Sequence, residues 1–213
     1  MPSTAEPRSR GARMPRVERR AQLLRAAREV FVAQGYHAAP MDDIAERAGV
    51  SKPVLYQHFP SKLELYVALL DESGDALVAA VQAALASTSD NDQRVAATIA
   101  AYFRFVDTED GAFRLVFESD LVNEPEVRRR VDRVNELCAQ AISQVISEDS
   151  GLDLEESMLV AVGLTGLAQV SARYWLTSVG QIPEQTATDL ISTLLWRGIR
   201  GLPRRQASSP GVD

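Results

Sequence analysis

Two short apolar segments on either side of Gly49 constrain the fold of this chain more than any other feature. Their apolar positions recur at helical spacing: Met41, Ile44, Ala45 and Ala48 before the glycine, and Val50, Leu55 and Phe59 after it. Each segment is only about seven residues long, and an isolated helix of that length is not stable in water. The two segments must therefore pack across a glycine turn and against a longer helix, which predicts a helix-turn-helix with one exposed face.

The other apolar residues also recur at helical spacing, so the expected fold class is all-α, with about nine helices. The first helix begins at Arg16 and ends at Gly35, a typical C-terminal cap. Ser51 and Ser61 are suited to cap the helices that follow them, and Gly74 can bend the longer of these two. The later helices are predicted over residues 62–85, 93–107, 111–121, 125–147, 154–178 and 184–200.

The charge of the chain is divided unevenly between its two ends. Residues 1–62 carry 11 Lys and Arg against 6 Asp and Glu, whereas residues 63–213 carry 12 against 23. A basic head on an acidic body is expected when one end of a protein meets nucleic-acid phosphates and the other does not. Ordinary variation in surface charge is the alternative interpretation.

Catalytic and metal chemistry has little support in the sequence. The single Cys138 has no partner for an internal disulfide, and with only His37 and His58 it makes neither a typical zinc site nor a Cys–His catalytic pair. Motifs for phosphate-binding glycine loops and serine hydrolases are also missing. We therefore expect no catalytic residue, metal site or cofactor. A helical enzyme and a constitutive DNA-packaging protein are the alternatives. A packaging function, however, would not account for the acidic, apolar-rich body.

No apolar run approaches the roughly 18 residues that a membrane span requires. Residues 1–20 are polar and Arg-rich, and they lack the apolar stretch of a secretory signal. We therefore expect a cytoplasmic protein with no membrane partner.

Residues 35–62 resemble the helix-turn-helix of the TetR family of bacterial regulators. The resemblance rests on Asp43-Ile44-Ala45, Ala48-Gly49-Val50-Ser51, Leu55-Tyr56, Phe59 and Ser61-Lys62. It implies a homodimer that binds a palindromic double-stranded DNA operator. By the same resemblance, Lys52, Tyr56, His58 and Lys62 are placed to contact the DNA backbone, while Pro53, Val54 and Gln57 are placed to read bases.

The same motif allows Val54 to contact a thymine methyl group. In one respect the chain departs from the family, which usually has a threonine where Pro40 stands. That threonine caps the second helix and touches phosphate, and Pro40 has no hydroxyl for either task. We expect Pro40 only to start the helix.

The apolar residues of the body are suited to line a cavity for a hydrophobic small molecule. The predicted ligand-binding residues are Tyr102, Phe103, Val106, Phe113, Phe117, Leu121, Leu137, Leu164 and Arg173. Almost nothing in this set is charged, so long apolar ligands should be favoured, with about 0.8 kcal/mol for each buried methylene. An ordinary hydrophobic core is the alternative.

Within the family, residues 35–39, 51–59, 114–118, 124–127 and 172–176 resemble a regulator of fatty-acid synthesis. This resemblance implies a long-chain acyl-CoA or a similar apolar molecule as the effector. The candidate cations for its anionic headgroup are Arg104, Arg114, Arg128, Arg129 and Arg173. A repressor of an efflux or catabolic operon that answers a different hydrophobic ligand is the alternative function.

The last two long helices carry apolar stripes suited to a dimer interface. The stripes are Leu159, Val162, Gly163, Gly166 and Val170 on one helix, and Leu190, Leu194, Leu195 and Ile199 on the other. Two helices from each subunit would then form a four-helix seam. The alternative is that the stripes only close the core of the monomer.

A group of four arginines, Arg128, Arg129, Arg130 and Arg133, invites a second nucleic-acid site. Because acidic residues are interleaved with them, we interpret the group as a solvated helix face.

These features predict two folded units between two loose ends. Residues 16–62 form the helix-turn-helix DNA-binding domain, and residues 63–203 form the effector-binding and dimerisation domain. Residues 1–15 are expected to be a disordered basic tail and residues 204–213 a loose tail, because both are polar and lack an apolar period.

Overall fold

The computed structural model describes residues 14–107, 111, 121, 123–177 and 182–199. This described part contains eight helices and no strand, which confirms the predicted all-α class. The helices are α1 Arg16–Ala38, α2 Met41–Arg47, α3 Lys52–His58, α4 Lys62–Ala86, α5 Asn91–Asp107, α6 Pro125–Asp149, α7 Leu154–Thr177 and α8 Glu184–Ile199. The helix predicted over 111–121 lies outside the described residues except at positions 111 and 121. The predicted tails also lie outside them, apart from residues 14 and 15.

The head is built on α1, which packs against α2 and α4, while α2 packs against α3. Its buried side includes Leu23, Ala27 and Phe31. The regular backbone of α1 ends at Gly35, whose φ of 76° lies in the left-handed region that glycine adopts without strain. This is the end that the sequence predicts.

The turn between α2 and α3 is a Schellman motif centred on Gly49, which has φ 64°. The Gly49 amide donates to the Glu46 carbonyl at 2.9 Å, and the Val50 amide donates to the Ala45 carbonyl at 3.0 Å. From α1, Gln22 Nε2 donates to the carbonyl oxygen of Ala48 at 2.8 Å. These bonds satisfy the last carbonyls of α2 and fix the angle at which α3 leaves it.

The two predicted serine caps differ in the structure. Ser61 Oγ accepts from the Glu64 amide at 3.1 Å, so it caps α4 as predicted. Ser51 occupies the N-cap position of α3 but its side chain makes no capping bond, so that prediction was wrong. The reason is that Pro53 has no N–H and the Val54 amide already donates to the Ser51 carbonyl at 2.9 Å.

Helix α4 joins the head to the body, because it packs on α1 near its start and on α5 and α6 farther along. Gly74 lies where α4 meets α6: a Cβ atom at this position would lie 2.4 Å from Val134 Cγ2. The glycine therefore allows a close approach of the two helices. This contact accounts for Gly74 without the bend that the sequence suggested.

The body is completed by α5, which packs on α7 and α8, and by α6, which packs on α7. Ile99, Tyr102 and Phe103 of α5 are almost fully buried in its core. None of the described helices combines the length and the apolar character needed to cross a membrane.

The arginine group on α6 is tied to acidic neighbours. Arg129 and Arg130 both pair with Glu126, and Arg130 also reaches Asp71 of α4 at 3.2 Å. The interpretation as a solvated helix face agrees with these ion pairs.

The stripes on α7 and α8 are mostly exposed on the single chain. Leu159 is 76% exposed and Leu190 is 60% exposed, and Val162, Val170 and Leu194 are also exposed. These side chains do not close the core of the monomer. Leu195 was wrongly included in the second stripe, because it is buried at 7% exposure and lies against the interior of the body. The side chain of Ile199 lies outside the description.

Candidate DNA-binding face and effector cavity

The recognition helix α3 buries one face and exposes the other. Leu55 and Phe59 are 0% and 1% exposed, which agrees with their predicted core role. Four of the predicted DNA contacts are exposed, namely Lys52, Pro53, Tyr56 and Gln57. These four form the outer face of α3.

Val54 and His58 are half-buried, although the sequence placed them on the exposed side. The two residues are one helical turn apart and directly precede Leu55 and Phe59, so they lie along the edge of the buried face. Their predicted DNA contacts would use only the outer part of each side chain.

Lys52 pairs with Asp42 of α2, whose carboxylate oxygen lies 2.7 Å from Nζ. The hydrogen bond and charge of Asp42 raise the pKa of Lys52 above its usual value. Both side chains are more than half exposed, so exchanging this partner for a DNA phosphate costs little.

His58 lies close to the start of α1. Burial lowers the pKa of His58, and the positive charges of Arg16, Arg20 and Arg19 lower it further. The imidazole is therefore mainly neutral at neutral pH. The three arginines place positive charge beside the end of α3. None of the three was among the predicted DNA contacts, although the Arg-rich run at 16–20 is visible in the sequence.

The side chain of Lys62 makes its contacts within the head. Its ammonium donates to the carbonyl oxygens of Ala39 at 2.7 Å and His37 at 3.2 Å, and it lies 4.6 Å from the centre of the Tyr36 ring. Lys62 thus satisfies carbonyls beyond the break at Gly35 and fixes the start of α4 against the end of α1. Its predicted contact with the DNA backbone stays a prediction, beside a structural role that the sequence did not indicate.

An apolar cavity of about 170 Å³ lies inside the body between α5, α6, α7 and α8, and Leu85 of α4 lines it as well. Its wall is largely aliphatic, with Val95, Ile99, Ile142, Ile146, Leu164, Ala168 and Leu195 among its residues. Thr98 and Tyr102 contribute buried hydroxyl groups. Burial raises the pKa of Tyr102 well above its usual value, so the phenol stays protonated.

The predicted ligand residues coincide with this cavity only in part. Tyr102 and Leu164 line it. Phe103, Val106 and Leu121 are buried but do not line the cavity, and Leu137 faces a different groove. Arg173 is exposed, and Phe113 and Phe117 lie outside the described residues. On α5, the predicted set included residues from a side of the helix that does not face the cavity. Ile99 and Tyr102 face the cavity, while the ring of Phe103 lies 5.5 Å from that of Trp175.

Among the described residues, Arg94 is the cation that lines the cavity, and it was not one of the predicted headgroup arginines. Among the predicted headgroup arginines, Arg104, Arg128, Arg129 and Arg173 do not line the cavity, and Arg114 lies outside the described residues. A signal was present in the spacing, because residues 94, 98 and 102 are separated by four positions and so share one face of a helix.

A second space, the outer groove, lies between α4 and α6 and has a volume of about 470 Å³. Leu85, Arg94 and Val145 line both the outer groove and the cavity. Leu137, predicted for the ligand site, lines the outer groove.

Comparison with known proteins identifies the family. Residues 23–69 match the family model described as bacterial regulatory proteins of the tetR family. The HTH-type transcriptional activator FasR of Mycolicibacterium smegmatis is 50% identical over 194 residues, which cover 91% of this chain and 89% of FasR. The chain belongs to the TetR family. The prediction of a DNA-binding transcriptional regulator, and not an enzyme, is thereby confirmed.

Solved structures of other transcriptional regulators share this fold. A TetR-like transcriptional regulator from Rhodococcus sp. RHA1 superposes with a TM-score of 0.67 and 28% identity, covering 89% of this chain and all of that one. FadR from Bacillus subtilis, described in complex with stearoyl-CoA, gives a TM-score of 0.68 at 18% identity, covering 82% and 96% of the two chains. At that identity the likeness to FadR establishes the fold alone.

We predict that Lys62→Met lowers the free energy of unfolding by about 1–2 kcal/mol, because two carbonyl groups at the end of α1 lose a charged donor. Urea denaturation measures the change. Lys52→Met is the matched control, since its exposed pair with Asp42 should contribute almost nothing to stability. Equal stability of the two variants would contradict the structural role of Lys62.

A binding assay on an operator selected from random DNA distinguishes the two roles implied for α3 residues, contact with the DNA backbone and recognition of bases. Lys52→Ala should weaken binding to operator and random DNA alike and reduce the salt-dependence slope by about one, since one phosphate contact is lost. Val54→Ala should instead change the preference at individual base pairs by about 1 kcal/mol. Equal losses on both DNAs for both variants would contradict these assignments.

Proposed function

We propose that this TetR-family regulator controls genes of lipid metabolism and that its effector is a long-chain acyl-CoA or a similar long apolar molecule. The observation that carries the proposal is the largely aliphatic cavity inside the body, with Arg94 among its lining residues. The relatives are consistent with it: a protein of this fold is described with stearoyl-CoA, and half of the aligned residues are shared with FasR.

The chemistry of the cavity favours a chain of methylene groups. A sugar or an amino acid needs several hydrogen-bonding partners, whereas most of this wall offers only aliphatic side chains. Each methylene buried there contributes about 0.8 kcal/mol, so affinity should grow with chain length.

The position of the cavity suggests how binding reaches the head. Leu85 of α4 lines the cavity beside residues of α5, α6, α7 and α8. A chain that entered between these helices and displaced them would therefore move α4 as well. Only three residues separate the end of α3 from the start of α4, so a shift of α4 would displace the recognition helix directly.

The proposal includes a homodimer bound to a palindromic operator. The exposed faces of α7 and α8 would meet their copies about a two-fold axis, and Gly163 and Gly166 leave open space that lets the helices approach. Two recognition helices would then enter the major groove about 34 Å apart, one turn of DNA. Acyl-CoA binding would change that separation and release the operator.

We predict that acyl-CoAs release operator DNA at concentrations that fall with chain length, by as much as about tenfold for every two carbons, because each methylene adds to burial. Fluorescence anisotropy of a labelled operator measures the release. Free CoA is the control and should release no DNA.

Release that is independent of chain length would contradict the effector proposal but leave the DNA-binding function intact. Mass spectrometry of small molecules that copurify with the protein then distinguishes the alternative, a regulator of efflux or catabolism with a different hydrophobic ligand.

A further inference from the structure

Arg94 stands where the cavity meets the outer groove, since its side chain lines both spaces. On the groove side it is accompanied by Gln82, Gln140, Gln144 and Glu148, whose side chains are polar. On the cavity side the lining is mainly apolar: Val95 and Ile99 lie there beside the polar Asn91 and Thr98 on α5, and the rest of the wall is largely aliphatic. A molecule that spanned the junction would thus have a polar part outside and an apolar part inside.

The guanidinium of Arg94 is held in a fixed orientation. Nε donates to the carbonyl oxygen of Leu85, near the end of α4, at 3.1 Å. It also donates to the carbonyl oxygen of Thr88, just after α4, at 2.8 Å. Nη1 donates to Asn91 Oδ1 and to Asp149 Oδ2, both at 2.9 Å. Nη2 makes no hydrogen bond within the described part of the chain, so it has donors left for another acceptor.

We infer that Arg94 binds the anionic group of an amphipathic effector, a carboxylate or a phosphate attached to an apolar chain. The chain lies in the cavity and the remaining polar part lies in the outer groove. This inference rests on the proposed function, because it names the residue that orients the proposed effector. A preformed arginine suits this task, since little side-chain entropy is lost when the anion binds.

Asp149 is the competing anion at this site. Its carboxylate lies 2.9 Å from Arg94 Nη1 and also accepts from Asn91 Nδ2 at 3.0 Å. The Arg94 and Asp149 side chains are 22% and 42% exposed, so water screens their interaction only in part. An anionic ligand shares Arg94 with Asp149 and is repelled by it. Removal of the Asp149 charge should therefore strengthen anion binding.

The position of Arg94 also sets the direction of the ligand. Arg94 is bonded to the end of α4 that is farthest along the helix from the head. Tyr102 lies eight residues farther along α5, about 12 Å away at 1.5 Å for each residue. The apolar chain thus runs from the distal end of the body along α5 toward Tyr102.

The test compares charged and uncharged ligands of equal chain length on the full chain. Myristate, myristoyl-CoA and tetradecanol are titrated while the fluorescence of Trp196, which lines the cavity, is recorded. A Trp175→Phe background removes the other tryptophan. Arg94→Gln should weaken myristate and myristoyl-CoA by about tenfold or more but tetradecanol by less than about threefold, since only a charge-assisted bond is lost.

Two further variants separate anion binding from a structural effect. Asp149→Asn should strengthen both anions and leave tetradecanol unchanged. Arg104→Gln is the matched control on the same helix, because Arg104 lines neither space, and it should change none of the three affinities. Equal losses of charged and uncharged ligands in Arg94→Gln, or weaker myristate binding in Asp149→Asn, would overturn the inference.

The DNA-release assay distinguishes failure of this inference from failure of the proposed function. If myristoyl-CoA releases DNA from wild-type and Arg94→Gln protein at the same concentration, the effector proposal stands and Arg94 does not bind the anionic group. If myristoyl-CoA releases no DNA but myristate binding depends on Arg94, the anion-binding role of Arg94 stands and the effector proposal is wrong. If none of the three ligands binds, both are wrong.

Discussion

The packing of α4 against both the head and the body is the constraint on which the rest of the structure depends. Near its start, Leu65 and Leu69 are fully buried and Lys62 bonds to carbonyls at the end of α1. Farther along, Gly74 lets Val134 approach the backbone of α4. One continuous helix is thus fixed at both units, so neither can change position along α4 without disturbing the other.

This arrangement gives the cavity a direct mechanical route to the recognition helix. Leu85 lines the cavity at the far end of α4, and only Phe59, Pro60 and Ser61 separate α3 from its near end. Arg94 ties the same far end to α5 and α6 through Leu85, Thr88 and Asp149. In the proposed function, a ligand that rearranged these bonds would act on α4 at the end farthest from α3, and α4 would carry the displacement to the recognition helix.

Local chemistry made much of the fold predictable. Gly35, Gly49 and Ser61 each determine a helix end through their own backbone freedom or side-chain cap, so short-range pattern was sufficient. What depends on the angle between helices was not predictable from one sequence. The half-burial of Val54, the carbonyl partners of Lys62, the inward position of Leu195 and the location of Arg94 at the junction all require the assembled bundle.

The proposed mechanism requires that a ligand bound in the body alters the separation of the two recognition helices in a dimer. Pulsed electron paramagnetic resonance measures the distance between two spin labels, one on each subunit at Glu46→Cys, an exposed position of the head. A Cys138→Ala background removes the native thiol. We expect one narrow distance distribution in the operator complex and a shift of about 2–5 Å when long-chain acyl-CoA is added. A distribution that acyl-CoA leaves unchanged, or the absence of any coupling between labels, would contradict this mechanism.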